Sequence, residues 1–346
     1  MFARGKSTVG LDIGASSVKL VELQHAEDGV RMTRFGEARL DPDVIVDGEI
    51  MDRMRVIDGI GELYERLGIT RRRVVCGVHG RGVMVKKIVM ERMDAEEASE
   101  AIYWEAEQHV PYDINDITVD YEVLDAERGP KQMQVMLVAA KRDLILNLAE
   151  VIREADLVVE AVDVNGFAVQ NAIESSSGLK ANEVVGLLNI GADITNLNVV
   201  RDGIPLYTQD LSLGGHSYLQ AIQKNYQLSR EEVEQALQES PRRLDVDAQV
   251  DGFCADLATS LDKSLNYLRS SGEAEELDRI VLCGGGALIP GLVAALERLQ
   301  PVAVELADPL RAVRWEPELL SAEDAAGVAP RFAVGIGLAL RKERVQ

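Results

Sequence analysis

Val9-Gly10-Leu11-Asp12-Ile13-Gly14-Ala15-Ser16-Ser17-Val18-Lys19-Leu20-Val21-Glu22-Leu23 holds the first residues whose types and spacing could do chemistry. Alternating apolar residues on either side of a small-residue core read as two strands joined by a tight turn. Gly14, Ala15, Ser16 and Ser17 put no bulky side chain in that turn, so main-chain N–H groups there can face an anion. Asp12 adds a carboxylate beside them. The two belong together only with a cation between them. Magnesium, held by one or two carboxylates, waters and substrate phosphates, is the usual one.

The stretch has an echo. Leu188-Asn189-Ile190-Gly191-Ala192-Asp193-Ile194-Thr195-Asn196-Leu197 aligns without gaps on Leu11 to Leu20. Asp12 falls on Asn189 and Ser16 falls on Asp193, so each turn carries one aspartate at a different place. The spacing is too long for a solenoid. A shared register is harder to reach by chance than shared composition, which favours a duplicated domain over two unrelated hairpins. A third stretch, Arg279-Ile280-Val281-Leu282-Cys283-Gly284-Gly285-Gly286, runs a buried strand into three glycines, where a flat ligand could lie against the backbone. It is not the dinucleotide fingerprint, whose third glycine would fall at Ile289.

The elements that must position these residues follow from periodicity. The spacing predicts a third strand over Val30 to Leu40 and a helix over Met54 to Leu67 that stops at Gly68. A block over 83–157 reads as a small βαββ insertion closed by a further helix. Its first helix starts at a capping box, Asp94 with Glu97, and carries Trp104, which is expected in the core. A strand over Val158 to Val164 holds Asp163 near its end, and a helix beginning near Asn165 leads to the second half. There a meander over Val184 to Leu211 precedes Leu213-Gly214-Gly215-His216-Ser217, where helix-start amides could face phosphate. Ser229 and Glu232 form another capping box, and Glu234 lies on that helix. The expected plan is a first lobe over 1–82, completed by about 158–175 and 325–346, and a second lobe over 176–324.

Composition excludes several classes. A net charge of −21 argues against wrapping nucleic acid and against general adhesion to an anionic membrane. Cys76, Cys254 and Cys283 lack metal-site spacing and fit reduced core thiols. His25, His79, His109 and His216 form no ligand pattern and read as ordinary histidines. No run of about 18 apolar residues exists, so no transmembrane segment is expected, and no signal peptide is expected before Val9. Gly5-Lys6-Ser7 mimics a P-loop end without the glycine that must precede it.

Phosphate hairpin, connecting helix, second phosphate hairpin and glycine-rich strand, in this order, resemble the actin-like ATPase superfamily. That implies an α/β, duplicated, ribonuclease-H-like fold with two lobes around a nucleotide cleft. Within it, Trp104-Glu105-Ala106-Glu107-Gln108 running to Val110-Pro111-Tyr112, the Val162-Asp163-Val164 junction and Gly191-Ala192-Asp193 are similar to the PilM-type family of type IV pilus assembly proteins. The resemblance implies an ATP-binding scaffold on the cytoplasmic face of the inner membrane, peripheral to it through partners. It would bind the N-terminal tail of a PilN-like protein in a groove between the first lobe and the inserted block, and contact pilus motor ATPases. It also admits a ring of copies.

By position, the resemblance implies that Asp12 and Asp193 flank magnesium. Gly14, Ala15, Ser16, Ser17 and Lys19 would form the first phosphate loop, and Gly191 and Ala192 the second. Gly214 and Gly215 would lie near ribose and phosphates, Glu234 at the nucleoside, and Gly284, Gly285 and Gly286 under adenosine. Relatives place an acid at the start of the helix after the connecting strand. Here that place is Asn165, with Asp163 two residues earlier, as the catalytic pair. An amide orients a water but cannot take its proton, so hydrolysis is expected to be slow or absent. The rivals are a sugar-type kinase using Asp163 as base, an FtsA-like filament former, and an adaptor that binds no nucleotide.

Overall fold

A computed structural model describes residues 6–125, 131–176, 178–239, 244–272 and 276–341. The expected turn at Arg128-Gly129-Pro130 lies outside them. The chain opens with β1 (Lys6–Gly14), β2 (Ser17–Ala26) and β3 (Gly29–Arg39), an antiparallel meander. A short hairpin of β4 (Ile45–Val46) and β5 (Glu49–Ile50) leads to α1 (Arg53–Leu67). Asp52 caps that helix through the Arg55 N–H, and Gly68 ends it in the left-handed region. Then come β6 (Arg73–Val78), β7 (Val83–Glu91), α2 (Ala95–His109), β8 (Ile117–Asp125), β9 (Gln132–Lys141), α3 (Arg142–Glu154), β10 (Val158–Val164) and α4 (Asn165–Ser176). The second half holds β11 (Val184–Ile190), β12 (Thr195–Arg201), β13 (Ile204–Leu211), α5 (Gly215–Tyr226), α6 (Arg230–Glu239), α7 (Asp247–Ser271) and β14 (Arg279–Cys283). The chain finishes with α8 (Leu292–Leu299), β15 (Ala303–Leu306), β16 (Val313–Arg314), α9 (Ala322–Val328) and α10 (Ala333–Leu340).

The sheets carry the duplication. The first runs β10-β6-β1-β2-β3-β16 and the second β13-β12-β11-β14-β15. Read from the meander outward, β3-β2-β1-β6-β10 matches β13-β12-β11-β14-β15, with β1 parallel to β6 as β11 is to β14. Each sheet supports its own core, Leu11, Leu20, Ile60 and Leu63 in one, and Leu188, Leu197, Leu257 and Leu282 in the other. Helices α4 and α10 join the lobes. Gly10 and Gly337 are glycine for that packing: a Cβ on Gly10 would overlap the Gly335 carbonyl, and one on Gly337 the Ala168 carbonyl.

Three expectations are corrected. Helix α3 buries Leu148, Val151 and Ile152 in the first lobe's core, so the insertion with its own core is β7, α2, β8 and β9. The return to the first lobe comes at Val313, not near 325, because β16 pairs with the open edge of β3. Trp104 is not in the core but 71 % exposed. Among the described residues no helix is long and apolar enough to cross a membrane.

Candidate functional site

Strands β1, β6 and β10 are parallel neighbours, so their carboxyl ends finish along one edge, where ligands of such sheets collect. The sequence puts Asp12, His79 and Asn165 at those three ends. Asp12 is buried and faces Lys19 directly across the hairpin, with the Nζ at 3.5 Å from its carboxylate. Asn165, also buried, places Nδ2 at 2.9 Å from His79 Nδ1. Its Oδ1 has no partner and lies over Gly77, where any Cβ would collide with it.

The second lobe contributes a chain of charges. Asp193 Oδ1 stands 2.6 Å from His216 Nδ1, and His216 Nε2 stands 2.8 Å from Arg230 Nη2. A guanidinium only donates, so Nε2 accepts, and the proton of a neutral His216 sits on Nδ1 and is donated to Asp193. Arg230 Nε donates to Glu234 at 2.9 Å, and Glu234 meets Arg39 of the first lobe at 3.7 Å. A second polar chain runs from Asn189 to Asn196 at 3.0 Å and on to Asp210 at 2.5 Å. Asp210 then accepts from the Gly80 N–H, which ties the lobes together. Burial, reinforced by the Asp12 charge, pushes the Cys283 thiol up, so it is no nucleophile.

These groups enclose one cavity of about 630 Å³, within the usual size of small-molecule sites. Asp12, Gly14, Ala15, Ser16, Ser17, Lys19, Asn165, Gly191, Ala192, Asp193, Gly215, Glu234, Gly284, Gly285 and Gly286 all line it. Two expected members do not. Asp163 Oδ2 accepts from Arg341 at 2.5 Å, and Asp163 does not line the cavity where the water-activating or kinase base was expected. Gly214 lines an adjoining space of about 390 Å³ instead. The start of α5 is not an open anion site. Gly215 and His216 donate their N–H groups to the Gly191 and Ala192 carbonyls at 2.9 and 2.8 Å, fastening the helix to the second hairpin.

The three glycines divide by role. A Cβ on Gly284 would overlap the Ile190 carbonyl and one on Gly286 the Ile190 side chain, whereas one on Gly285 meets no protein atom within 4 Å. Gly285 alone of the three leaves open space beside the backbone on the cavity wall. The cavity also recruits Arg39, Arg230, Arg331 and Glu37, which sequence reasoning did not single out, and His79 and His216, which it read as ordinary histidines. Their one legible signal was position, since His216 follows the Gly214-Gly215 helix start and His79 ends a strand parallel to β1. Among the described residues no cluster of three or more metal-binding side chains exists. Asp12 and Asp193 on facing hairpins fit magnesium, which takes few protein ligands, and fit no zinc-type site.

The family described as "Type IV pilus assembly protein PilM" matches residues 10–343. The solved PilM-PilN type IV pilus biogenesis complex contains a chain 28% identical, with TM-score 0.86, covering 96% of this chain and 98% of that one. The ethanolamine utilization protein EutJ of Carboxydothermus hydrogenoformans shares the fold, with TM-score 0.62 at 15% identity over 98% of this chain and 90% of its own. The cell division protein FtsA of Bacillus subtilis strain 168 is 20% identical over 98% of this chain and 84% of its own length. The two-lobed architecture is the actin-like fold.

Proposed function

We propose a function from one premise: this chain belongs to the type IV pilus assembly PilM family. On that premise it is a nucleotide-binding scaffold of pilus assembly. The cleft takes ATP with magnesium. The groove between the first lobe and the inserted sheet takes the N-terminal tail of a PilN-like inner-membrane protein, which keeps the chain peripheral to that membrane. The scaffold links that protein to pilus motor ATPases. The observation that carries the reading is the single cavity in which Asp12, Asp193 and the open face of Gly285 meet.

Asp12 and Asp193 would hold magnesium from opposite lobes, and the ion would neutralise phosphate charge there. Lys19 stands beside Asp12 as a phosphate cation. Glu234, fixed by Arg230, is a ribose acceptor. Asn165 and His79 face the cleft as water-orienting groups, and the absence of a carboxylate at 165 supports slow hydrolysis. Because both lobes line one site, nucleotide biases their closure and hence the neighbouring groove.

Two measurements test this. Saturating ATP with magnesium, at about 100 times its dissociation constant, stabilises a binder by about 2.7 kcal/mol. A raised melting midpoint is therefore expected, and Asp12→Asn should abolish it. An unmoved midpoint in the native protein would leave only an adaptor. A synthetic N-terminal peptide of a PilN-like protein, titrated with and without ATP, tests the partner. No saturable binding under either condition would remove it.

A further inference from the structure

Helix α2 leaves an aromatic pair uncovered. Its inner face, Ala98, Ile102 and Ala106, packs on the inserted sheet and completes that core. Tyr103 and Trp104 point elsewhere, at 51 % and 71 % exposure. Tryptophan in water forfeits a large burial gain, and an indole left this open is an anchor awaiting a surface. Its frame is acidic. Glu96, Glu100, Trp104 and Gln108 follow one another at i,i+4 along the exposed face, and Glu107 lies one turn beyond Tyr103. Helix α2 itself carries no lysine or arginine among these glutamates.

Charge selects the occupant. Glutamates on a chain of net charge −21 repel nucleic acid, an anionic lipid surface and a second copy of the chain alike. A basic segment meets the opposite case, because a guanidinium stacks on an indole face while carboxylates receive its neighbours. We propose that the outer face of α2 docks a basic segment of a protein partner, with Trp104 as the anchor and Glu100 and Glu107 as the ion-pairing rim. None of these residues lines the nucleotide cleft, so the proposal goes beyond the nucleotide reading and stands independently of it.

The full chain with Trp315→Phe reports on Trp104 alone, these being the two tryptophans. The probe is a synthetic amphipathic peptide of arginine and leucine, with its glutamate-for-arginine counterpart as control. A saturable blue shift of Trp104 emission is expected with the basic peptide only, weakening as salt rises. Trp104→Ala, followed by anisotropy of the labelled peptide, should lower affinity at least about tenfold. That substitution leaves net charge unchanged, so diffuse adhesion to an acidic protein would survive it; equal affinity overturns the proposal. Glu100→Gln with Glu107→Gln should flatten the salt dependence, and an unaltered slope counts against the rim. A blue shift that grows with protein concentration without peptide would assign the face to self-association and overturn it as well. Trp104→Phe, at an exposed site, keeps an aromatic face and should bind within a few-fold of the native chain.

Discussion

On the proposed function, Asn165 is the residue that sets how the site treats water. It follows the end of β10, the place where that reading puts the water-activating group, and its amide is bonded to His79 at 2.9 Å. Asn165→Asp is therefore expected to raise single-turnover phosphate release, a positioned base being worth roughly 10²-fold or more, with little change in nucleotide affinity. An unchanged rate would place the attacking water elsewhere. His216 acts at the same scale. Neutral, and donating from Nδ1, it keeps the Asp193 carboxylate oriented. His216→Phe removes that donor, so weaker magnesium dependence of nucleotide binding is expected while metal-free binding changes little.

At the scale of elements, two glycines in helices make opposite demands. Gly337 sits where α10 crosses α4, and a methyl there would drive into the Ala168 carbonyl. Gly337→Ala should destabilise by about 1–3 kcal/mol or more, the usual cost of overpacking. Gly61 lies on the exposed side of α1, where a methyl would meet no atom within 4 Å. Gly61→Ala should stabilise by about 0.5–1 kcal/mol through helix propensity. Denaturation midpoints of the two variants must move in opposite directions. Movement the same way would contradict the packing described for α10.

For the whole molecule, the contacts that span the cleft set how tightly the lobes are joined. Glu234 meets Arg39 within the cleft lining, and Asp210 receives the Gly80 N–H outside it. If nucleotide closes the lobes and closure reshapes the partner groove, the two ligands must alter each other's affinity by one common factor, typically about 5- to 150-fold. Peptide titration with and without ATP should give the same ratio as ATP titration with and without peptide. Asp210→Asn weakens one of the two ties and should reduce the ratio without abolishing either binding event. An exposed pair such as Arg39 with Glu234 contributes little by itself, so Arg39→Ala should have the smaller effect.

The amino-acid sequence by itself determined the hairpins, the capped helices and the duplicated order of strands, because alternation, caps and glycine stops act within a few residues. It also placed Asp12 and Asp193 on matching hairpins. Trp104 was legible too: about 200° around the helix from Ile102, it belongs opposite the Ala98–Ile102–Ala106 face, but its apolar character argued for the core more loudly than its period argued against it. Only the tertiary structure decided which charges share the cavity. Asp163 is taken by Arg341 and Asp193 by His216, partners far along the chain or on another element. It likewise decided which glycine is open to a ligand. Such pairings depend on how two sheets and two crossing helices bring distant strand ends together, and no local pattern encodes that distance.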